Sequence, residues 1–223
     1  MIAGPASQLS LGETEAIALK AARGQGLSWG MAEEAAYAAR WLSDQGLDGL
    51  SILLGQLDQR LTLQNPDAAP VMGGRLWSPA GPDALCPIVA GTALNDFGLL
   101  PEGPLHNCLS IGPLSTPALL LPFVGLVAAF ADTAFKIEWA QCRLTLCRSG
   151  ICEVLDGAGI LTQKTAALHI TPCDPSAGPV FVKKRLATPK ATLDGLTLYA
   201  AKTYVPASGL SRRNAGALGS DDH

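Results

Sequence analysis

The sequence predicts an α+β protein in which an N-terminal helical layer packs on a mainly antiparallel β-sheet. Over about the first sixty residues, apolar side chains recur at the three- and four-residue spacing of amphipathic helices. Further along the chain they alternate with polar side chains, as in strands with one buried face, and short turn signals separate these strands. With 223 residues, the chain is long enough to bury a full core.

Three helices are predicted in this first part. Ser10 and Glu13 form a capping-box pattern, in which each side chain accepts a hydrogen bond from a backbone N–H at the helix start. This helix is expected to run to about Arg23, where glycines follow. Ser28 can cap the second helix and Asp48 can begin the third, because both side chains accept hydrogen bonds from the first helical turn.

The segment 65–87 is rich in Pro, Gly and Ala, which predicts a linker or a long surface connection. It is the expected boundary between subdomains. We therefore expect an N-terminal helical subdomain (1–64), a β-rich core with a C-terminal helix (65–207) and a tail (208–223), together forming one compact unit.

Residues 103–131 contain no Asp, Glu, Lys or Arg. The densest apolar part, 119–131, is too short to cross a membrane, which takes about 20 apolar residues. Its apolar residues fall on both parities, so we expect strands that are covered on both faces. The side chains expected to be buried there are Leu119, Leu121, Phe123, Val124, Leu126 and Val127.

Alternation predicts a further strand at Phe135, Ile137 and Trp139. The apolar parity changes near residues 140–141, where a β-bulge would keep the same face buried. Additional strands are expected at 167–171 and 180–186. A last helix is expected over 192–204, because Pro206 cannot continue it.

A turn signal at residues 149–150 predicts a β-hairpin. With this turn, Cys147 stands opposite Cys152 and Arg143 stands opposite Asp156. The start of the chain has no basic segment typical of a secretory signal, so we expect a cytoplasmic protein with reduced thiols.

Composition excludes several classes of function. The chain has 16 Lys and Arg against 19 Asp and Glu, a net charge of −3, which argues against a nucleic acid partner. None of the six cysteines forms a Cys-x-x-Cys pair, so we expect no metal site. Nucleotide-binding and hydrolase motifs are absent from the sequence, and we expect no cofactor and no membrane partner.

A polar cluster flanks the uncharged segment. Asp96, His106 and Cys108 are the candidate catalytic residues, since an imidazole can act as acid or base near neutral pH and a thiol as nucleophile. Asn95 and Asn107 are candidate ligand-binding residues. The alternative is structural: a loop at 95–98 followed by a second loop around residue 104.

Two arginines in the tail, Arg212 and Arg213, are further candidate ligand-binding residues, because paired guanidinium groups can clamp a carboxylate or phosphate. The alternative is a disordered polar terminus. His169 lies in an apolar strand context, and we expect it to be a hydrogen-bonded core histidine.

The segments Gly26–Ala35 and Thr203–Ser208, the latter followed by Ser211, Arg212 and Gly216, resemble an uncharacterised bacterial protein family known only as a domain of unknown function. The resemblance covers essentially the whole chain. It implies no activity and assigns no catalytic residue.

Two hypotheses of function remain. The first is a soluble, cytoplasmic bacterial binding or assembly protein, with a small-molecule ligand or a second copy of the chain as partner. The alternative is a small-molecule enzyme with an Asp/His/Cys site near residues 95–108, completed by Arg212 or Arg213. The two differ in whether these groups line one pocket.

Overall fold

A computed structural model describes residues 6–140, 142–157, 160, 164–174, 184 and 186–204. The helices are α1 (Leu11–Gln25), α2 (Trp29–Asp44), α3 (Gly49–Arg60), α4 (Pro87–Phe97), α5 (Leu121–Ala131) and α6 (Lys190–Ala201). Short 3-10 helices span Pro104–His106 and Pro117–Leu120. The strands are β1 (Pro70–Gly73), β2 (Leu76–Pro79), β3 (Leu109–Ser115), β4 (Ala134–Trp139), β5 (Cys142–Cys147), β6 (Gly150–Asp156) and β7 (Thr165–Cys173).

The described strands form one sheet in the order β1-β2-β3-β7-β4-β5-β6. Neighbouring strands are antiparallel except β2 and β3, which are parallel. The predicted α+β class and the mainly antiparallel sheet are therefore confirmed. Strand β7 lies between β3 and β4, so the last of the described strands joins the two halves of the sheet.

The three predicted helix starts are confirmed. The Ser10 hydroxyl accepts a hydrogen bond from the Glu13 N–H at 3.2 Å, and the Glu13 carboxylate accepts one from the Ser10 N–H at 2.7 Å. Ser28 and Asp48 cap α2 and α3 through their side chains. Helix α1 packs against α2 and α6, while α5 lies between α2 and strands β4, β5 and β6.

The strands predicted for residues 119–127 are wrong, because the segment forms a 3-10 helix followed by α5. Pro122 is compatible with this helix because it lies in the first turn, where its missing N–H would have no helical partner. Helix α5 carries apolar residues on both sides because α2 and α4 cover one side and the sheet covers the other. Of the six side chains expected to be buried, five are buried and Leu126 is 46 % exposed.

Two turn predictions also need correction. The proposed connection at 65–87 contains the hairpin of β1 and β2. Strands β4 and β5 are antiparallel and Trp139 pairs with Cys142, so the two segments form a hairpin and are not one strand interrupted by a bulge. A tight reversal changes the apolar parity just as a bulge would, and so the pattern cannot separate the two.

In the next hairpin, Cys147 pairs with Gly150, while the predicted pairing of Arg143 with Asp156 is confirmed. Cys147 therefore does not stand opposite Cys152 as predicted. Two register shifts between β5 and β6 explain why the pairing at one end of the hairpin differs from the prediction while the pairing at the other end agrees with it. Cys147 and Cys152 are neighbours, as expected, but a disulfide joins them, with Cα atoms 6.1 Å apart. The expectation that both thiols are reduced is therefore wrong in this structure.

The strand at 167–171 and the helix at 192–204 are confirmed as β7 and α6. The predicted strand at 180–186 and the tail at 208–223 lie outside the described residues, apart from residues 184 and 186. Among the residues described, no helix is both long enough and apolar enough to cross a membrane.

Candidate functional site

The sheet has one face covered by helices and one open face. In β4, the side chains of Phe135 and Ile137 are buried beneath α5, whereas Lys136 and Glu138 are partly exposed. Because side chains alternate along a strand, these two pairs point to opposite sides of the sheet. The open face is therefore where polar side chains of neighbouring strands can meet.

Five neighbouring strands each place one polar residue in a row across this face. Ser110 on β3 pairs with His169 on β7, and His169 pairs with Glu138 on β4. Glu138 in turn pairs with Arg143 on β5, which pairs with Asp156 on β6. We call these five residues the polar row.

Contacts between side chains order the row. The Ser110 hydroxyl lies 2.9 Å from Nδ1 of His169. Nε of Arg143 lies 2.7 Å from Oε1 of Glu138, and Nζ of Lys136 lies 3.3 Å from Oε2 of the same carboxylate. Glu138 thus holds two cations, one through each oxygen atom.

These cations also set the charge of Glu138. Desolvation raises the pKa of Glu138, but the hydrogen bonds and positive charges of Lys136 and Arg143 outweigh it, so the pKa lies below its ordinary value. The carboxylate is therefore ionised at neutral pH. The row then carries fixed charges of alternating sign at Glu138, Arg143 and Asp156.

A groove of about 510 Å³ runs beside the row. Its polar lining consists of His169, Glu138, Arg143 and Asp156, and its apolar lining of Trp139, Ala140, Leu155 and Ala167. Cys142 also lines it, but burial, helped by the charge of Asp156, raises the pKa of this thiol to about 12. A protonated thiol is a weak nucleophile, so Cys142 contributes to the wall and not to chemistry.

A second groove, of about 570 Å³, lies between α3 and the ends of β3 and β7. Its polar groups already bind one another: Gln59 donates to Thr165 at 3.2 Å, and Thr116 donates to Gln59 at 3.4 Å. Asp58, in the same groove, accepts a hydrogen bond from Tyr199. The groove beside the polar row has more charged side chains in its lining, Glu138, Arg143 and Asp156 against Asp58 and Lys164, and we take it as the candidate site.

The residues predicted to be catalytic lie elsewhere. Asp96 is exposed near the C-terminal end of α4. The loop expected at 95–98 is therefore wrong for residues 95–97, which belong to this helix. His106 ends a 3-10 helix, and its Nε2 lies 3.0 Å from the carbonyl oxygen of Leu100. Cys108 is exposed just before β3. Within the described residues, no hydrogen bond or ion pair joins Asp96, His106 and Cys108 to one another.

Of the four candidate ligand-binding residues, the structure describes Asn95 and Asn107. Asn107 is exposed, while Oδ1 of Asn95 is buried and has no hydrogen-bond partner among the described residues. Arg212 and Arg213 lie outside the residues that the structure describes.

Asp96 has an electrostatic neighbour in Glu34 on α2. Burial, then the charges of Asp96 and Glu33, raise the pKa of Glu34.

The predicted core position of His169 is wrong. It is hydrogen-bonded, as expected, but it is exposed on the open face and not in the core. The signal was present, because Leu168 and Ile170 are buried and His169 alternates with them. Its neighbours in the row could not be read from one sequence, since they depend on β7 inserting between β3 and β4.

The fold and the groove define an α+β protein with a charged site on the open face of its sheet. Within the described part of the chain, no three His, Cys, Asp or Glu side chains are grouped so as to hold a metal ion. Residues 9–81 match the model of a family described as "Protein of unknown function (DUF3726)". This confirms the resemblance to a domain of unknown function over α1–α3 and the β1–β2 hairpin, about a third of the chain.

Comparison with curated proteins and with solved structures finds no match. The polar row, which begins at Ser110, lies outside the matched segment. The site must therefore be interpreted from its own geometry.

Proposed function

We propose that this protein binds a small polar molecule in the groove beside the polar row. The observation that supports this most is the register: five adjacent strands place Ser110, His169, Glu138, Arg143 and Asp156 side by side. Opposite charges on neighbouring strands also stabilise a sheet, but here three of the charged side chains line a groove of about 510 Å³, where a ligand could meet them.

Binding fits the groove better than catalysis. The thiol of Cys142 is protonated, and the Ser110 hydroxyl, although hydrogen-bonded to an imidazole, does not line the groove. An enzyme that uses Asp96, His106 and Cys108 stays a prediction, as does a homo-oligomer. His106 hydrogen-bonds a backbone carbonyl, a contact that also fits a structural role.

The proposal is tested by thermal unfolding in the presence of a panel of small carboxylates, amines, amino acids and phosphate esters. A ligand present at about a hundred times its Kd stabilises the folded state by about 2.7 kcal/mol. We expect at least one compound to raise the melting temperature of the wild-type protein but not that of the Arg143→Gln variant.

The control is Lys190→Gln, which removes a cation from an exposed ion pair with Asp194 on α6, away from the sheet. This variant should respond to the panel as the wild type does. The proposal is wrong if no compound distinguishes wild type from Arg143→Gln, or if Lys190→Gln loses the response equally.

A further inference from the structure

We infer that the ligand of this groove is a small zwitterion with an apolar body, of which an aliphatic α-amino acid is the simplest example. The inference rests on the proposed function, since it assumes that the groove binds a small molecule. It names the chemical class that the charges and the apolar wall accommodate together.

The charges beside the groove alternate in sign from strand to strand. Glu138, Arg143 and Asp156 lie on successive strands, which are about 4.7–4.9 Å apart, so the sign of the charge changes once per strand. A simple anion near Arg143 would face a carboxylate on either side. A simple cation near either carboxylate would face the guanidinium. A molecule with both charges close together meets an opposite charge at each end.

The geometry of Arg143 provides the anion-binding half. Its Nε lies 2.7 Å from Oε1 of Glu138, and the second oxygen of Glu138 faces Lys136. Glu138 thus approaches the guanidinium from its Nε side, and the two terminal amino groups are at the opposite end of the group. Together they form the end-on fork that binds a carboxylate through two parallel hydrogen bonds. Glu138 also limits the rotation of the guanidinium, so less entropy is lost on binding.

The carboxylate that would bind the ligand's ammonium group is on β6, the strand on the other side of β5 from Glu138. Asp156 is exposed at the end of β6 and lines the groove, and its charge acts on Cys142 as well. A ligand ammonium beside the carboxylate bound at Arg143 would lie within one strand spacing of Asp156. Asp156 is therefore the residue that should distinguish a zwitterion from a plain carboxylate.

The wall of the groove specifies the remainder of the ligand. Leu155 is 60 % exposed although it is a large apolar side chain, and Ala167 extends the same lining, whereas Trp139 is only 4 % exposed and contributes little surface. Covering exposed apolar surface contributes about 25 cal/mol per Å². An aliphatic body fits this surface, whereas a sugar or a phosphate ester would leave it facing polar groups.

Isothermal titration calorimetry with three matched probes tests the inference. L-Leucine carries both charges, 4-methylpentanoate lacks the ammonium group, and 3-methylbutylamine lacks the carboxylate. We expect L-leucine to bind the wild-type protein at least about tenfold more tightly than either analogue, one tenfold step for each lost charged contact.

Two variants assign the two halves. Arg143→Gln should abolish the preference for L-leucine over 3-methylbutylamine, and Asp156→Asn should abolish its preference over 4-methylpentanoate. Lys190→Gln should retain both preferences, since its ion pair with Asp194 is on α6.

Equal binding of the three probes, tighter binding of either analogue, or no heat from any of them overturns the zwitterion assignment. In each of these cases the compound panel still decides whether another class of molecule binds at Arg143. The two proposals therefore fail separately.

Discussion

Gly91 on α4 lies directly against the ring of Phe123 on α5, so that a Cβ at position 91 would overlap the ring. Phe123 is fully buried between the helical layer and the rest of the core. This contact fixes how closely α4 approaches α5, the helix that covers the sheet on the side opposite the polar row.

The Gly91→Ala substitution should therefore lower the free energy of unfolding by about 1–3 kcal/mol, because a buried ring cannot move without overpacking its neighbours. Urea denaturation measures this change. The matched control is Gly55→Ala on α3, where a Cβ would have nothing within 4 Å. That substitution should stabilise by about 0.5–1 kcal/mol through helix propensity. Equal effects at the two positions would contradict the packing.

Glu34 offers a test of pH dependence. Its pKa is raised by burial and by the charges of Asp96 and Glu33. Because the pKa of Glu34 is raised in the folded state, ionisation of this carboxyl group disfavours folding. The neutral carboxyl group is tolerated below the unfolded pKa, about 4.3, and this share of the stability is lost as the pH rises through the folded pKa. Glu34→Gln should thus increase stability at pH 7, by up to about 0.5 kcal/mol, and less at pH 4.

Thermal melts at the two pH values measure this difference. The exposed residue Glu102 provides the control, since Glu102→Gln should show no comparable gain at pH 7. A Glu34→Gln variant that is less stable at pH 7 than the wild type would refute the assigned environment. The Asp96→Asn variant should give part of the same gain, because it removes one of the repelling charges.

Tyr199 connects the last described helix to the third. Its hydroxyl donates a hydrogen bond to Oδ1 of Asp58 at 2.7 Å. The Tyr199→Phe variant should lose about 0.5–1.5 kcal/mol of stability, while Tyr204→Phe, at a residue that is 61 % exposed, should lose almost none.

An absorbance titration of tyrosinate checks the same contact. Burial, together with the hydrogen bond and charge of Asp58, raises the pKa of Tyr199 to about 12. Asp58→Asn should therefore lower the pKa of Tyr199. If the titration curve does not change, the contact between α3 and α6 is wrong.

The disulfide between Cys147 and Cys152 gives a simple count. Titration of thiols in denatured, unreduced protein should find four, belonging to Cys86, Cys108, Cys142 and Cys173. The double variant Cys147→Ser/Cys152→Ser should give four with or without prior reduction. Six thiols in the wild-type protein would restore the expectation, drawn from sequence, that all cysteines are reduced.

The fold class and the first three helices could be predicted from sequence because their signals are local. The capping residues Ser10, Ser28 and Asp48 act within one helical turn, and each begins a helix in the structure. Segment 119–131 was misassigned because apolar residues on both parities are equally typical of a strand and of a helix buried on all sides. The segment is a helix because α2 and the sheet pack on its two sides. These contacts come from distant parts of the chain, and the local sequence pattern does not contain them.

The site could not be predicted for a related reason. Ser110 and His169 are 59 positions apart, and each is an isolated polar residue in an apolar strand. They meet only because β7 inserts beside β3. The cluster at 95–108 was prominent because its residues are close in sequence, yet Asp96 lies on α4, His106 ends a 3-10 helix and Cys108 stands just before β3. Proximity along the chain was a poor guide to proximity on the open face.

A small polar molecule bound in the groove beside the polar row would change the surroundings of that row, and chemical-shift mapping detects such a change residue by residue. A ¹H–¹⁵N spectrum of the wild-type protein should be recorded with the panel compound that stabilises it most. We expect the amide signals of Glu138, Arg143, Asp156 and His169 to shift together, while those of α1 and α6 stay in place. Shifts confined to α3 and the groove beside Gln59, with the polar row unchanged, would show that the ligand binds elsewhere and that the proposed site is wrong.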